Sequence, residues 1–282
     1  MPHLILQAPN LLPADIERIA ALANAGGVQE VGPTHVRILD VDPDGLDEAL
    51  AVCRQRRIDA ACLDQLVPLR SCRLLAMDMD STLVNIECID EIADMQGLKA
   101  EVAAITEAAM EGEIDFRESL SRRVALLAGL PETALGEVYE KRLQLNPGAE
   151  RLLQGLQRAG IRSMLVSGGF TYFTERLQAR LGFDHAYANE LEVANGRLTG
   201  RTVGDIVDGA AKAAHLQRLR DELGLAEDQV IAAGDGANDI PMLRAAGFGV
   251  AFHPKPVLRD VAHCCLDHSG LDGILDLFGE DG

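Results

Sequence analysis

Leu74-Leu75-Ala76-Met77-Asp78-Met79-Asp80-Ser81-Thr82 passes from four apolar residues directly into two aspartates and two hydroxyls. A continuous apolar run marks a strand buried on both faces. Residues 161–166, 230–233 and 248–252 read the same way. Between them lie helical stretches at 147–159, 172–181, 210–223 and 238–246. Apolar strands alternating with helices predict an α/β core with a parallel sheet covered on both sides. Ligands of such sheets sit beyond the C-terminal ends of the strands, near a switch point.

Polar residues stand at those ends. Asp78-Met79-Asp80-Ser81-Thr82 follows the first run, Ser167-Gly168-Gly169-Phe170 the second and Gly234-Asp235-Gly236-Ala237-Asn238-Asp239 the third. Lys212 falls in the first turn of its helix. A turn that merely reverses the chain calls for Gly or Asn, not two aspartates at a strand end. Asp78 and Asp80 are two apart, so on an extended strand they would share one side. Their repulsion favours a bound cation or a proton on one of them. Asp235 would complete a hard oxygen site suited to Mg²⁺. Gly168 and Gly169 let backbone N–H groups approach an anion at a helix start. Ser167 adds a hydroxyl and Lys212 a compact positive charge. Together they can hold a phosphoryl group in line with a carboxylate nucleophile.

With these residues in place, Asp78-Met79-Asp80-Ser81-Thr82 resembles the first motif of the haloacid dehalogenase superfamily of phosphohydrolases. Ser167 with Gly168 resembles its second, Lys212 its third, and residues 234–239 its fourth. The resemblance covers about residues 73–278. It implies a Rossmann-like core, a helical cap inserted after the first motif, and a domain spanning 71–282. It extends to the phosphoserine phosphatases within that superfamily, through residues 78–87 and 166–170. The implied activity is Mg²⁺-dependent hydrolysis of O-phospho-L-serine, the last step of serine biosynthesis, through an aspartyl-phosphate. Asp78 is then the nucleophile and Asp80 the general acid and base. Mg²⁺ takes Asp78, Asp235 and the backbone carbonyl of Asp80, with Asp239 in support. Ser167, the Gly168 amide, Lys212 and Asn238 hold the phosphoryl oxygens. Transfer to another alcohol, or action on a different phosphorylated amino acid such as phosphohomoserine, stays open as the alternative.

Residues 87 to about 145 carry helical patterning rich in alanine and would form the cap. Read alone, Glu87 and Arg123 are solvated helix residues, and Met110 and Phe116 are core. By resemblance, Glu87 takes the substrate ammonium and Arg123 its carboxylate, for which a guanidinium fork is well shaped. Met110 and Phe116 would close the pocket. Asn195-Gly196 predicts a type I′ hairpin, read as a structural flap beside the core.

Upstream, residues 1–70 read as strand, helix, two strands, helix and strand, an α+β unit of ferredoxin-like kind. A helix is expected from Leu46 to about Arg57 with Asp44 as its cap. The resemblance likens this unit to the ACT-like domains of longer bacterial members. Either it is a structural or dimerising appendage, giving a homodimer, or it senses a ligand. The chain of 282 residues suggests about two domains. Hydrophobic residues at 48% and charged ones at 25% exclude a mainly disordered protein. Lys and Arg number 26 against 44 Asp and Glu, a net charge of −18, which argues against nucleic acid or an anionic membrane as partner. No apolar run approaches a membrane span, and the start Met1-Pro2-His3-Leu4-Ile5-Leu6 lacks the basic region of a signal peptide. Six cysteines without a CxxC pair fit reduced thiols in a cytoplasmic protein, and the Cys264-Cys265 patch reads as structural.

Overall fold

The structure, a computed structural model, describes residues 1–110 and 113–279, Met110 by its backbone only. The first unit comprises β1 (His3–Gln7), α1 (Pro13–Leu22), β2 (Gly27–Gly32), β3 (His35–Leu39), α2 (Pro43–Arg56) and β4 (Asp59–Leu63). Its strands form an antiparallel sheet in the order β2-β3-β1-β4. Leu4 and Leu6 of β1 point to the face covered by α1 and α2. The α2 cap differs from expectation: Asp42 is the N-cap, accepting from Asp44 N at 3.1 Å, and Pro43 opens the helix. Proline suits that first position because its missing N–H would lack a helical partner there.

The second unit opens with β5 (Leu74–Met77). A single helical turn at Met79–Leu83 follows, broken by Asp80 (ψ 136°) and Ser81 (φ 56°). Four helices, α3 (Cys88–Met95), α4 (Lys99–Met110), α5 (Phe116–Leu126) and α6 (Thr133–Lys141), stand between this turn and α7 (Ala149–Ala159). Then come β6 (Arg162–Phe170), α8 (Thr171–Leu181), β7 (His185–Ala194), β8 (Arg197–Val203), α9 (Gly209–Glu222), β9 (Val230–Gly234), α10 (Ile240–Arg244), β10 (Phe248–Phe252), α11 (Pro256–Arg259), β11 (Cys264–Leu266) and α12 (Gly273–Asp276). The helix expected over 238–246 is thus shorter. Ala237–Asp239 forms a separate tight turn ahead of it, and Pro241 sits at the start of α10.

The seven strands are ordered β11-β10-β9-β5-β6-β7-β8, parallel except for the β7–β8 pair. Asn195 (φ 54°) and Gly196 (φ 72°) both adopt positive φ, as a type I′ turn requires. The hairpin extends the central sheet, since β7 also pairs with β6. Side chains of β5 alternate between two cores. Leu75 and Met77 pack with α7 and α8 residues such as Leu152, Leu156, Phe173 and Leu177. Leu74 and Ala76 pack with Leu216, Leu219, Met242 and Leu243 of α9 and α10. The chain leaves β5 for β6 on one side and returns to β9 on the other, so the switch point lies at β5.

The first unit docks on the second through its uncovered sheet face. Ile5 belongs to the same core as Leu266 and Phe278. Asp59 accepts from the backbone N–H groups of Asp267 (2.8 Å), His268 (3.0 Å) and Ser269 (2.7 Å). Gln7 donates to Gly273 O and Arg37 to Phe278 O.

Candidate active site

Parallel pairing aligns the ends of four neighbouring strands. Met77 is opposite both Ala233 and Leu165, and Ala251 is opposite Gly234. The residues just beyond these ends therefore emerge along one edge. Asp78 N donates to Ala233 O at 3.0 Å, which holds the β5 and β9 ends together.

Lys212 lies at the floor, fully buried, its α9 helix capped by Asp208, which accepts from Ala211 N at 2.9 Å. Its Nζ is 2.7 Å from Asp78 Oδ2 and 2.8 Å from Asp239 Oδ1. Burial works against that charge, yet Asp239 and Asp78 hold the ammonium's pKa above the ordinary lysine value. Burial, and then the charge of Asp239, push the Asp78 carboxyl well above its usual range, against the pull of Lys212. Asn238 Nδ2 lies 3.4 Å from Asp78 Oδ2.

Carboxylate oxygens of Asp78, Asp235 and Asp239 lie within 4.8 Å of one another, a hard donor set that fits a divalent cation. They are not equivalent. Asp239 Oδ1 is taken by Lys212, and Oδ2 accepts from Asp235 N (3.1 Å) and Gly236 N (3.2 Å). Asp239 thereby shapes the loop that carries Asp235. Asp78 is also engaged, its Oδ1 accepting from Met79 N at 2.7 Å and its Oδ2 facing Lys212, so Asp235, which faces Lys255, is the freest oxygen donor of the three among the described residues. The expectation that Asp80 shares a side with Asp78 by strand alternation does not hold, because β5 ends at Met77. Through the broken turn, Asp80 Oδ1 accepts from Cys88 N at 3.1 Å, and Ser167 Oγ lies 3.4 Å from Oδ2. Its carboxylate is outside the three-aspartate group. Burial, and then the Glu87 charge, push its pKa up to about 7.

Gly168 and Gly169 lie near the end of β6 with Ser167, not at the helix start expected for the two glycines, because the strand continues to Phe170 across a register shift. Ser167 Oγ accepts from Gly169 N at 2.8 Å. Gly169 leaves room for the acid: a methyl group there would sit 2.5 Å from Asp80 Oδ2. On the cap side, Glu87 Oε1 accepts from Ser81 Oγ at 2.8 Å. The Phe116 ring lies over Gly168, where an added Cβ would meet Phe116 Cζ at 2.9 Å. Arg117, next in α5, ties cap to core through Asp208 at 2.7 Å. Arg123 sits on the same helix with its Nε buried and without a hydrogen-bond partner among the described residues. The side chain of Met110 lies outside the described residues.

Two residues escape sequence reasoning. Asn189, buried in β7, donates to Gly168 O and accepts from Val207 N, both at 2.8 Å, and so fixes the Gly168 peptide. Lys255 stands just past the end of β10, and its Nζ is 3.1 Å from Asp235 Oδ2. The sequence does carry a signal for it: residues 248–252 are a fourth apolar run, and a lysine close behind such a run stands where the acids of the other strands stand.

Residues 75–244 match the family model of haloacid dehalogenase-like hydrolases, and residues 4–48 match a domain of unknown function. The chain belongs to the haloacid dehalogenase-like hydrolase family. It is 54% identical over 211 residues to the phosphoserine phosphatase of Albidiferax ferrireducens, covering 73% of this chain and 89% of that one. A probable phosphoserine phosphatase of Schizosaccharomyces pombe is 38% identical over 279 residues, 97% of this chain and 92% of the relative. Among solved structures, a probable phosphoserine phosphatase from Vibrio cholerae superposes with a TM-score of 0.85 at 36% identity, over 98% of this chain and 85% of that one. A family hydrolase from Salmonella enterica gives 0.89 at 30% identity over the full length of both.

Proposed function

We infer that the protein is a phosphoric monoester hydrolase that converts O-phospho-L-serine to L-serine and phosphate. The observation that carries this reading is the buried Asp78–Lys212–Asp239 triad at the strand-end edge, with Ser167 and Asp80 beside it. In this reading Asp78 attacks phosphorus, and the bond from phosphorus to the serine oxygen breaks. Asp80 gives that oxygen a proton; with a pKa pushed up to about 7 it can both hold and release one. Asp80 then takes a proton from the water that attacks the aspartyl-phosphate. Phosphate leaves and Asp78 is regenerated. Lys212, the Ser167 hydroxyl, the Gly168 amide and Asn238 stabilise the phosphoryl oxygens, where charge is spread in the transition state. A divalent cation, Mg²⁺ in this reading, would be held by Asp78, Asp235 and the Asp80 carbonyl with Asp239 behind them, and would neutralise charge between carboxylate and phosphate.

Glu87 is assigned the substrate ammonium and Arg123 the carboxylate. The buried Nε of Arg123, without a partner among the described residues, supports the second assignment, since a buried guanidinium N–H calls for an acceptor. Phe116 and Met110 are assigned to closing the pocket. We assign residues 1–70 to an accessory unit and 71–282 to the catalytic unit, with the cap at about 87–145. Association of two copies through the accessory unit is supported by the edge strand β2, where Val28 is exposed. A cytoplasmic setting is supported by six free cysteines. No helix among the described residues is long and apolar enough to cross a membrane.

The test is phosphate release from phosphoserine, phosphothreonine and phosphohomoserine, with Mg²⁺ and with EDTA. Preference for phosphoserine and loss of turnover in EDTA are expected. Equal rates on sugar phosphates would remove the Glu87 and Arg123 assignments. Phosphohomoserine formed from added homoserine would instead favour the transferase.

A further inference from the structure

Lys255 stands at a fourth strand end on the same edge, and the mechanism above leaves it without a role. It is anchored to the metal-ligand loop twice: its backbone N donates to Asp235 O at 2.8 Å, and its Nζ lies 3.1 Å from Asp235 Oδ2. Its side chain is 56% exposed, whereas that of Lys212 is wholly buried. Lys212 therefore forms the floor, and Lys255 stands at the mouth. Gly236 makes its approach feasible. A Cβ there would lie 3.4 Å from Lys255 Nζ and 2.9 Å from Asn238 Oδ1, so the ammonium and the Asn238 amide are neighbours across a gap without a side chain. Asn238 in turn reaches Asp78, the residue that would receive the phosphoryl group. The cap acids Glu87 and Asp90 also lie within electrostatic range of Lys255.

We propose that Lys255 is a substrate-positioning residue, whose ammonium at the mouth of the strand-end site receives the phosphoryl dianion and guides it toward Asp78. The inference rests on the phosphatase reading. The ammonium end of its tie to Asp235 is half-exposed, while the Asp235 carboxylate is buried. A cation on Asp235 would compete with the ammonium for the same carboxylate and so release it toward an incoming anion. In a chain of net charge −18, an ammonium at the entrance also supplies local attraction for an anionic substrate.

The test compares the full-length metal-loaded protein with its Lys255→Met and Lys255→Arg variants. KM and kcat for phosphoserine are measured across ionic strength, with the inhibition constant of inorganic phosphate and the Mg²⁺ concentration for half activation. Lys255→Met is expected to lower kcat/KM about tenfold, mostly through KM, as loss of one charge-assisted hydrogen bond implies. Phosphate inhibition should weaken by a similar factor, and the salt dependence should flatten. Lys255→Arg should recover most of the loss, and half activation by Mg²⁺ should need no more metal. An unchanged KM and phosphate inhibition constant would overturn the proposal. So would a loss abolished by extra Mg²⁺, since Lys255 would then act only through Asp235. Failure of the wild-type protein to hydrolyse phosphoserine, with phosphate still binding through Lys255, would strike the substrate assignment and leave this one standing.

Discussion

Replacing Lys212 by methionine removes the charge that two buried carboxylates share. Its Nζ lies 2.7 Å from Asp78 and 2.8 Å from Asp239, and all three side chains are buried. Deleting one partner of a buried ion pair costs about 3–5 kcal/mol. The chemistry sets a compatible ceiling, because the orphaned pair can relax by taking up one proton. Protonating a carboxyl of unfolded pKa about 3.9 at pH 7 costs about 4 kcal/mol, and at pH 5 about 1.5 kcal/mol. Burial and the neighbouring Asp239 charge already push the Asp78 carboxyl well above its usual range, so Asp78 takes that proton. A carboxyl whose folded pKa is raised binds more protons folded than unfolded, so the variant's deficit shrinks as pH falls toward the unfolded pKa. We expect Lys212→Met to lose about 4 kcal/mol near pH 7 and under about 2 near pH 5, by urea unfolding in EDTA with an unchanged m-value. Turnover should fall at least about 100-fold, because protonated Asp78 is no nucleophile and a phosphoryl anchor is gone. A loss below about 1 kcal/mol at both pH values, or a deficit independent of pH, would refute the charge-sharing account.

Gly169→Ala should cut kcat by at least about 100-fold with little change in melting temperature, because the new methyl displaces the Asp80 carboxylate; normal turnover would refute the placement of Asp80 as the acid. Asp59→Ala strips an acceptor from three backbone N–H groups at the junction of the two units; a loss of about 2–3 kcal/mol is expected by thermal unfolding, with activity per folded molecule retained. Asp184 has a carboxyl pKa held below the usual range: burial opposes the shift, but the Ser163 N–H and Arg162 outweigh it. Its contribution is present above the unfolded pKa and lost as pH falls through the lower folded one, so Asp184→Asn should cost under about 1 kcal/mol at neutral pH, after solvent screening, and less near pH 3. Inorganic phosphate should bind the Mg²⁺-loaded protein and not the EDTA-treated one; calorimetric binding of equal strength in both would contradict the metal assignment.

The core is legible because burial on both faces leaves apolar residues throughout β5 and β9 and over 164–166 of β6, so a polar residue at the end of each run stands out. Asp78, Ser167 and Asp235 declare themselves that way. The relation of Asp78 to Asp80 is not legible, because period-two alternation applies only while the strand lasts, and here it stops one residue before Asp78. Asn189 is hidden for a different reason. β7 lies next to the edge strand β8, its sequence mixes polar and apolar residues, and a single buried amide in it carries no pattern. The Asp42 cap is masked by Asp44, an equally good capping residue two positions on, and Pro43 is the clue that separates them. Within the cap, Phe116 and Arg123 share α5 with the exposed Glu118 and Arg122. Helical periodicity alone does not say which side of such a helix meets the site.

Charge balance links the metal, the acid and the substrate. Asp78, Asp80, Asp235, Asp239 and Glu87 bring five carboxylates to the region of the site, and Lys212 and Lys255 bring two ammonium groups. Fully ionised, that cluster would repel a phosphate dianion. A divalent cation and one proton on Asp80 would bring it to neutrality, and an Asp80 carboxyl pushed up to about 7 exchanges that proton near neutral pH. The proton needed for electrostatic balance is then, with Asp80 as the proposed acid, the same proton the leaving serine oxygen requires. In the proposed mechanism, once it is spent Asp80 is ionised while the phosphoryl group sits on Asp78, and a base is present when water must be activated. The charge state that admits the substrate and the charge state that completes hydrolysis thus differ by the single proton that the first step transfers.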